Sequence, residues 1–199
     1  MLSQNVMHYK TKQASTRTHN SKGWFHRIQS AWSKPNRDTI KINVDAACNI
    51  ESSSIAAVAR DWRGEVVFAC SKRVNTTLPL QAEAEAINWA LNLATNLDVD
   101  SIFIESDSKS FIDALRFPNR DVPWRIRTIY SDVLALKLNF SNCRFSWVAR
   151  EANVATHVLA KWFLSNNYFD SFDVGLGPPC LVSIIGAEAL SAYVVLFLA

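Results

Sequence analysis

Along residues 39–47, TIKINVDAA, Ile40, Ile42 and Val44 alternate with Lys41, Asn43 and Asp45, a period of two that predicts a β-strand. SIAAVAR (54–60) and EVVFACSK (65–72) predict two further strands, and the intervening DWRG predicts a hairpin turn with Gly64 at its end. The period then changes. In LPLQAEAEAINWALNLATNL, Ile87, Ala90, Leu91 and Ala94 fall on one stripe and predict a helix over 80–95. SIFIESD (101–107) reads as a short apolar strand ending in acid, and SKSFIDALR begins another helix. PWRIRTIYSDVLALK predicts a helix over about 123–137 with Pro123 at its start. CRFSWVA (143–149) is a fifth strand, and Asn153 is placed to N-cap a last helix that carries His157. Three strands followed by helix, strand, helix, helix, strand and helix imply a mixed sheet covered by helices.

The two ends differ from this middle. Residues 1–31 are rich in Ser, Thr, Asn, Gln and Lys without sustained periodicity, and are expected to be a flexible basic segment, a linker in preference to an organellar transit peptide. They hold Lys10, Lys12, Arg17, Lys22 and Arg27 and no acid, so the remainder is slightly acidic although the whole chain is at +3. A nucleic-acid-binding surface therefore has to be local. Residues 181–199 are nearly all apolar apart from Glu188. Nineteen residues just reach across a bilayer, but the interruption and the lack of flanking charge favour a packed or poorly structured tail. The expected organisation is a basic segment at 1–31, one domain at 32–165 and an apolar extension at 166–199.

Composition narrows the chemistry. With only five glycines the chain has no GxGxxG or GxxxxGK[ST], which removes the simplest nucleotide-binding readings. Cys48, Cys70, Cys143 and Cys180 are far apart with no CxxC, so zinc is not expected, and reduced thiols in an intracellular protein are. A nuclear or cytoplasmic location is expected, with organellar targeting left open, and the chain is expected to be a monomer without a small-molecule cofactor or a membrane partner.

Three acids stand out. Asp45 ends the first strand and Asp107 a later one, where turn or capping roles are the ordinary explanation. Glu83 falls within the stripe of Ile87, Ala90, Leu91 and Ala94, whereas Glu85 points nearly opposite. A carboxylate on a buried stripe is costly unless something positive meets it, either an arginine or a metal. Strand end, helix face and strand end are positions that can converge at one edge of a sheet. Hard divalent cations prefer such oxygen ligands, and two ions about 3.5–4 Å apart can clamp the oxygens of a phosphodiester displacement. Metal-dependent nuclease chemistry is thus one physical option, and periodicity goes no further.

Taken together, WSKPNRDTIKINVDAA (32–47), ARDWRGEVV (59–67), QAEAEAINWAL (81–91), IFIESDSKSFIDAL (102–115) and FSWVAREANVATHVLAK (145–161) resemble the ribonuclease H family of type 1. The likeness is specifically to plant ribonuclease H-like proteins related to retroelements, in order and spacing, over residues 32 to about 165. It implies an α/β fold with a five-stranded mixed sheet, order 3-2-1-4-5, and helices on both faces. It also implies metal-dependent hydrolysis of the RNA strand of an RNA–DNA hybrid. Asp45, Glu83 and Asp107 match the family's metal-binding acids, and His157 stands where active members carry a fourth. Two Mg²⁺ ions are implied, with Mn²⁺ an alternative because imidazole suits it better. A first-turn position disfavours imidazolium, so His157 is expected to ligate or hydrogen-bond.

The chain departs from the family in three places. Asp45-Ala46 replaces a common DG, Ser54-Ile55-Ala56 replaces GxG, and only four residues separate Val148 from Asn153, where many members have a longer, histidine-bearing loop. Arg116, Arg120, Arg125 and Arg127 cluster in sequence around Trp124, where some relatives hold the hybrid with a basic helix. Such arginines would give salt-dependent affinity for phosphate; the alternative is a solvated helix face. Trp62, Trp89, Trp147 and Trp162 are expected in the core. Two functions are expected from all this: an RNA–DNA hybrid endonuclease, or a catalytically weak nucleic-acid-binding or interaction module that keeps the fold.

Overall fold

The computed structural model describes residues 31–117, 121–166, 171–172 and 178–197. The first strand, β1 (Ile40–Cys48), is buried along most of its length on both faces, and this sets the architecture. Its alternation sends Ile42 and Val44 to one side and Lys41, Asn43 and Asp45 to the other, and helices cover both. β2 (Ser53–Arg60) pairs antiparallel with β1, and β3 (Val66–Val74) antiparallel with β2. On the other side of β1, β4 (Ser101–Ser106) and β5 (Asn142–Trp147) are parallel. The five expected strands therefore take the expected order 3-2-1-4-5. A sixth, β6 (Ser171–Phe172), pairs with the outer edge of β3. Two residues are too short for any periodicity to announce.

The helices α1 (Pro79–Ala94), α2 (Lys109–Arg116) and α3 (Arg127–Lys137) cover one face of the sheet. Ile87, Ala90, Leu91 and Ala94 of α1, the predicted stripe, are fully buried against Ile42, Val44, Ile102 and Ile104. Each isoleucine or leucine side chain buried in this way contributes roughly 1.5–3 kcal/mol relative to exposure, and each alanine less. The helix expected to begin at Pro123 starts instead as a single 3-10 turn, Trp124–Ile126, before becoming α3. The opposite face carries α4 (Val154–Asn166) and α5 (Pro179–Phe197), which close a second cluster of Ala56, Val58, Ala155, Leu159, Phe163 and Leu181.

The DWRG turn forms as expected. The Asp61 carboxylate accepts from the backbone N–H groups of Arg63 and Glu65, and Gly64 takes φ +89°, a conformation that a side chain would strain. Trp62 does not join the core. At 39% exposure it lies in the turn with the guanidinium groups of Arg37 and Arg63 over its ring at 4.9 and 5.7 Å. A hairpin tip points a side chain outward whatever its hydrophobicity. Trp89 and Trp147 are partly buried against the first cluster and Trp162 against the second.

At the end of β1 opposite Asp45, the face under α5 holds a set of buried charges. Lys41 Nζ meets Glu105 Oε1 at 2.8 Å, Asn43 donates to Glu105 Oε2 at 3.1 Å, and Trp32 Nε1 donates to Asn43 Oδ1 at 3.0 Å. Arg60 packs its guanidinium 4.4 Å over Trp32 and pairs with Glu188 of α5 at 2.8 Å. The start of the apolar C-terminal stretch is thus helical and packed through Leu181, Ile184 and Ile185, and Glu188 ties it to Arg60. Among the described residues no helix is long and apolar enough to cross a membrane. The basic segment expected at 1–31 lies, but for its last residue, outside the described residues.

Candidate active site

Asp45 lies near the C-terminal end of β1 and is completely buried. Its Oδ1 accepts the backbone N–H of Ala46 at 2.9 Å, which fixes the carboxylate against the strand. Asp107 follows directly on β4, the parallel neighbour of β1, so both acids emerge at the same sheet edge. Trp147 Nε1 donates to the carbonyl of Asp107 at 3.0 Å and holds that strand end in place. Glu83 arrives from the other face of the sheet. Pro79 opens α1 without a capping side chain, and Glu83 follows in the next turn, leaning over the β1 and β4 ends. Ser106 Oγ reaches Glu83 Oε2 at 3.5 Å.

These three carboxylates converge: one oxygen from each of Asp45, Glu83 and Asp107 lies within 4.8 Å of the others. The electrostatics show strain. Burial pushes the Glu83 carboxyl well above its usual range, and the neighbouring Asp45 and Asp107 push it further. Burial and Asp45 also raise Asp107, against the opposing pull of Arg150. Three crowded carboxylates, all acceptors when ionised, want a cation between them. An all-oxygen donor set of this kind fits a hard divalent ion.

His157 reaches the same place from α4. The N–H of His157 bonds the Asn153 carbonyl at 3.0 Å, so Asn153 occupies the N-cap position, as expected. Its side chain does something else: Nδ2 donates to the Val44 carbonyl at 2.9 Å and ties α4 to β1 one residue before Asp45. One turn later His157 Nδ1 lies 2.6 Å from Asp45 Oδ2. The histidine therefore hydrogen-bonds the first acid; the group of mutually close ligand atoms consists of the three carboxylates alone.

Arg150 was not legible as a site residue. It lies in the 3-10 turn Arg150–Ala152 of the short β5–α4 connection, and its Nε donates to Asp107 Oδ2 at 3.1 Å. An exposed arginine in a loop carries no periodic signal; only the brevity of the loop hinted that its residues must crowd the site.

The arginines expected to hold nucleic acid are dispersed. Arg125 stacks 4.9 Å over Trp124, which is 73% exposed, and the pair presents an open cationic aromatic surface. Arg127 directs Nε to the Val122 carbonyl, and Arg116 stacks 5.8 Å over Phe117 at the end of α2. Arg120 lies outside the described residues. Arg125 also lines an open concavity of about 550 Å³ with Lys72, Gln81, Asn88 and Trp89, and Lys72 sits 5.1 Å over the Trp89 ring.

A family model described as reverse transcriptase-like matches residues 43–163, from the strand bearing Asp45 to the helix bearing His157. The chain belongs to the reverse transcriptase-like family. Solved structures identify its fold as that of ribonuclease H. The ribonuclease H1 of the halophilic archaeon Halobacterium salinarum superposes with a TM-score of 0.61 at 20% identity, over 64% of this chain and 98% of that one. The N-terminal ribonuclease H domain of a Mycobacterium tuberculosis protein gives 0.60 at 18% identity, over 64% and 94%. LC11-RNase H1, isolated from compost by a metagenomic approach and solved with an RNA/DNA hybrid, gives 0.59 at 18%, over 64% and 98%. At these identities the likeness is one of fold. Comparison with curated proteins finds no match.

Proposed function

We propose that this reverse transcriptase-like protein is a metal-dependent endonuclease that hydrolyses the RNA strand of RNA–DNA hybrids. The observation that carries the reading is the convergence of Asp45, Glu83 and Asp107 within 4.8 Å at one sheet edge. The hybrid bound by LC11-RNase H1, a protein of the same fold, supports the substrate class. Asp45, Glu83 and Asp107 would hold Mg²⁺ or Mn²⁺. A bound divalent ion of this kind supplies an activated water and charge stabilisation for phosphodiester hydrolysis. His157 acts through Asp45: its 2.6 Å hydrogen bond fixes the carboxylate Oδ2, and Asn153 fixes the helix that carries it. Burial of Asp45 and partial burial of the other two acids restrict water around them, which strengthens each charge interaction.

Substrate is held outside the carboxylates. Arg125 and Trp124 would take backbone phosphate and sugar, with Arg116 and Arg127 adding positive charge nearby, and affinity of that origin falls with salt. The working unit in this reading is residues 32–165 acting as a monomer, with 1–31 and 166–199 as extensions and no organic cofactor. Its four free thiols fit a reducing nuclear or cytoplasmic setting. The segment FSWVAREANVATHVLAK favours a plant, retroelement-related lineage.

A second reading has its own support. His157 and Arg150 engage two of the three acids, which suits a protein that keeps the fold and binds nucleic acid but cuts weakly. Single-turnover cleavage of a labelled RNA–DNA hybrid by the full chain, in Mg²⁺ and separately in Mn²⁺, decides between them. Cleavage that disappears in Asp45→Asn while hybrid binding persists establishes the nuclease. A folded wild type that binds hybrid and cuts in neither metal establishes the binding module.

A further inference from the structure

Two nitrogen-bearing side chains, His157 on α4 and Arg150 on the short loop after β5, reach the carboxylate cluster. Where a fourth carboxylate would add negative charge the chain has His157, and its Nδ1 is engaged by Asp45 at 2.6 Å. On the loop, Arg150 places a permanent positive charge 3.1 Å from Asp107, with the side chain otherwise 63% exposed. We infer that Arg150 stands in for a second metal ion, so that the site is built for one divalent cation and one guanidinium. The inference rests on the proposal that the carboxylates hold metal, and refines how many ions they hold.

Charge balance supports it. With all three carboxylates ionised, the state in which they would hold a cation, they and one guanidinium leave two negative charges, which one divalent cation neutralises. A fourth carboxylate in place of the imidazole, with the guanidinium gone, would leave four, which two cations neutralise. Donor chemistry agrees: imidazole is a weak partner for Mg²⁺, and here its Nδ1 is held by a carboxylate. Geometry agrees as well. Asp107 presents Oδ2 to Arg150 Nε and also belongs to the group of three mutually close carboxylates, so the guanidinium lies beside the atoms that would hold a cation. An arginine in that place can also contact the same phosphate oxygens as a metal, because its donors match a phosphate edge.

The test counts ions. Mn²⁺ is titrated into the full chain by calorimetry, with free Mn²⁺ followed by electron paramagnetic resonance, for wild type, Arg150→Ala and the double variant Arg150→Ala/His157→Asp. Wild type is expected to bind one ion. Arg150→Ala is expected to bind that ion about two- to fivefold more tightly, the range that loss of an exposed competing pair allows. The double variant is expected to bind two. A wild type that binds two ions overturns the inference and leaves the nuclease proposal standing. So does an Arg150→Ala protein whose affinity and stoichiometry match wild type. A folded wild type that binds none overturns both, and the titration separates these results without any cleavage assay.

Discussion

β1 carries polar side chains at both ends of one face, and the two ends have been treated in opposite ways. Toward its N-terminus, Lys41 has Glu105, Arg60 has Glu188 and Trp32, and Asn43 bridges Trp32 and Glu105. Every charge there faces an opposite one, and Lys41, Arg60 and Glu105 are almost fully buried. Toward its C-terminus, Asp45 meets two more carboxylates, and burial with mutual repulsion pushes Glu83 well above its usual range. Burial alone therefore does not distinguish structure from function here. Matched charge with buried partners makes a scaffold; an excess of like charge at a sheet edge, offset only in part by the exposed Arg150, makes a site that waits for a cation.

The sharpest way to break the comparison is to neutralise one acid at each end. Asp45→Asn is expected to reduce hybrid cleavage at least roughly 10³-fold, because metal stabilisation is worth several kcal/mol and each ~1.4 kcal/mol is tenfold. It is expected to leave the metal-free melting temperature unchanged or higher, since it removes one of three repelling charges. Glu188→Ala should do the reverse. It strands Arg60, whose guanidinium is nearly fully buried, and is expected to cost about 3–5 kcal/mol, or a fall of roughly 6–20 °C in melting temperature. Cleavage per folded molecule is expected to stay near wild type. If Asp45→Asn destabilised as much as Glu188→Ala, the acids at the C-terminal end would be structural after all.

How much of this was legible in the sequence follows the same division. The strand alternation at 39–47 and the helical stripe through Ile87 and Leu91 each report a local geometry, and the sheet order came with the family likeness. The acids were legible because Glu83 breaks the apolar stripe and Asp45 and Asp107 end strands. The matched end was not legible. Lys41 is one of the polar residues of an alternating strand and Glu105 an acid in a short apolar one, and neither pattern names the 64-residue pairing between them or the Trp32 ring beside it. Arg150 escaped for a related reason: its partner is 43 positions away, at a distance no periodicity spans. The arginines around Trp124 were legible as a cluster in sequence, yet Arg116 stacks on Phe117 at the end of α2 and Arg127 bonds the main chain at the start of α3, because the cluster in sequence is divided between two helix ends.

The unmatched end also predicts a pH dependence that the matched end does not. Glu83 and Asp107 both have folded values raised above their ordinary 4.5 and 3.8, chiefly by burial. A carboxyl raised in this way favours the fold while protonated. Its contribution is present below the ordinary value and is lost as pH rises through the raised one. The metal-free protein is therefore expected to lose stability from about pH 4.5 upward, seen as a falling denaturation midpoint. Glu83→Gln should flatten that fall, and saturating Mg²⁺ or Mn²⁺ should offset it, more so at higher pH where the carboxylates are ionised. A midpoint that stayed level from pH 4.5 to 8 in the absence of metal would mean that the three acids do not repel as their spacing requires.

The smallest expected effect lies at Arg125. Its guanidinium is exposed over Trp124, away from the acids and the buried ion pairs of the sheet, so its removal changes neither end of β1. If it neutralises one backbone phosphate, Arg125→Ala should lower the slope of log affinity against log salt by about one and weaken hybrid binding uniformly across sequences. Arg127, whose Nε is engaged by the Val122 carbonyl, should change the slope less. Equal slopes for wild type and both variants would place the hybrid elsewhere, and the open surface lined by Lys72, Asn88 and Trp89 would be the next place to put the same substitution. A reduced slope with unchanged single-turnover cleavage at saturating hybrid would instead separate holding the duplex from cutting it, with the first on the 3-10 turn before α3 and the second at the edge between β1 and β4.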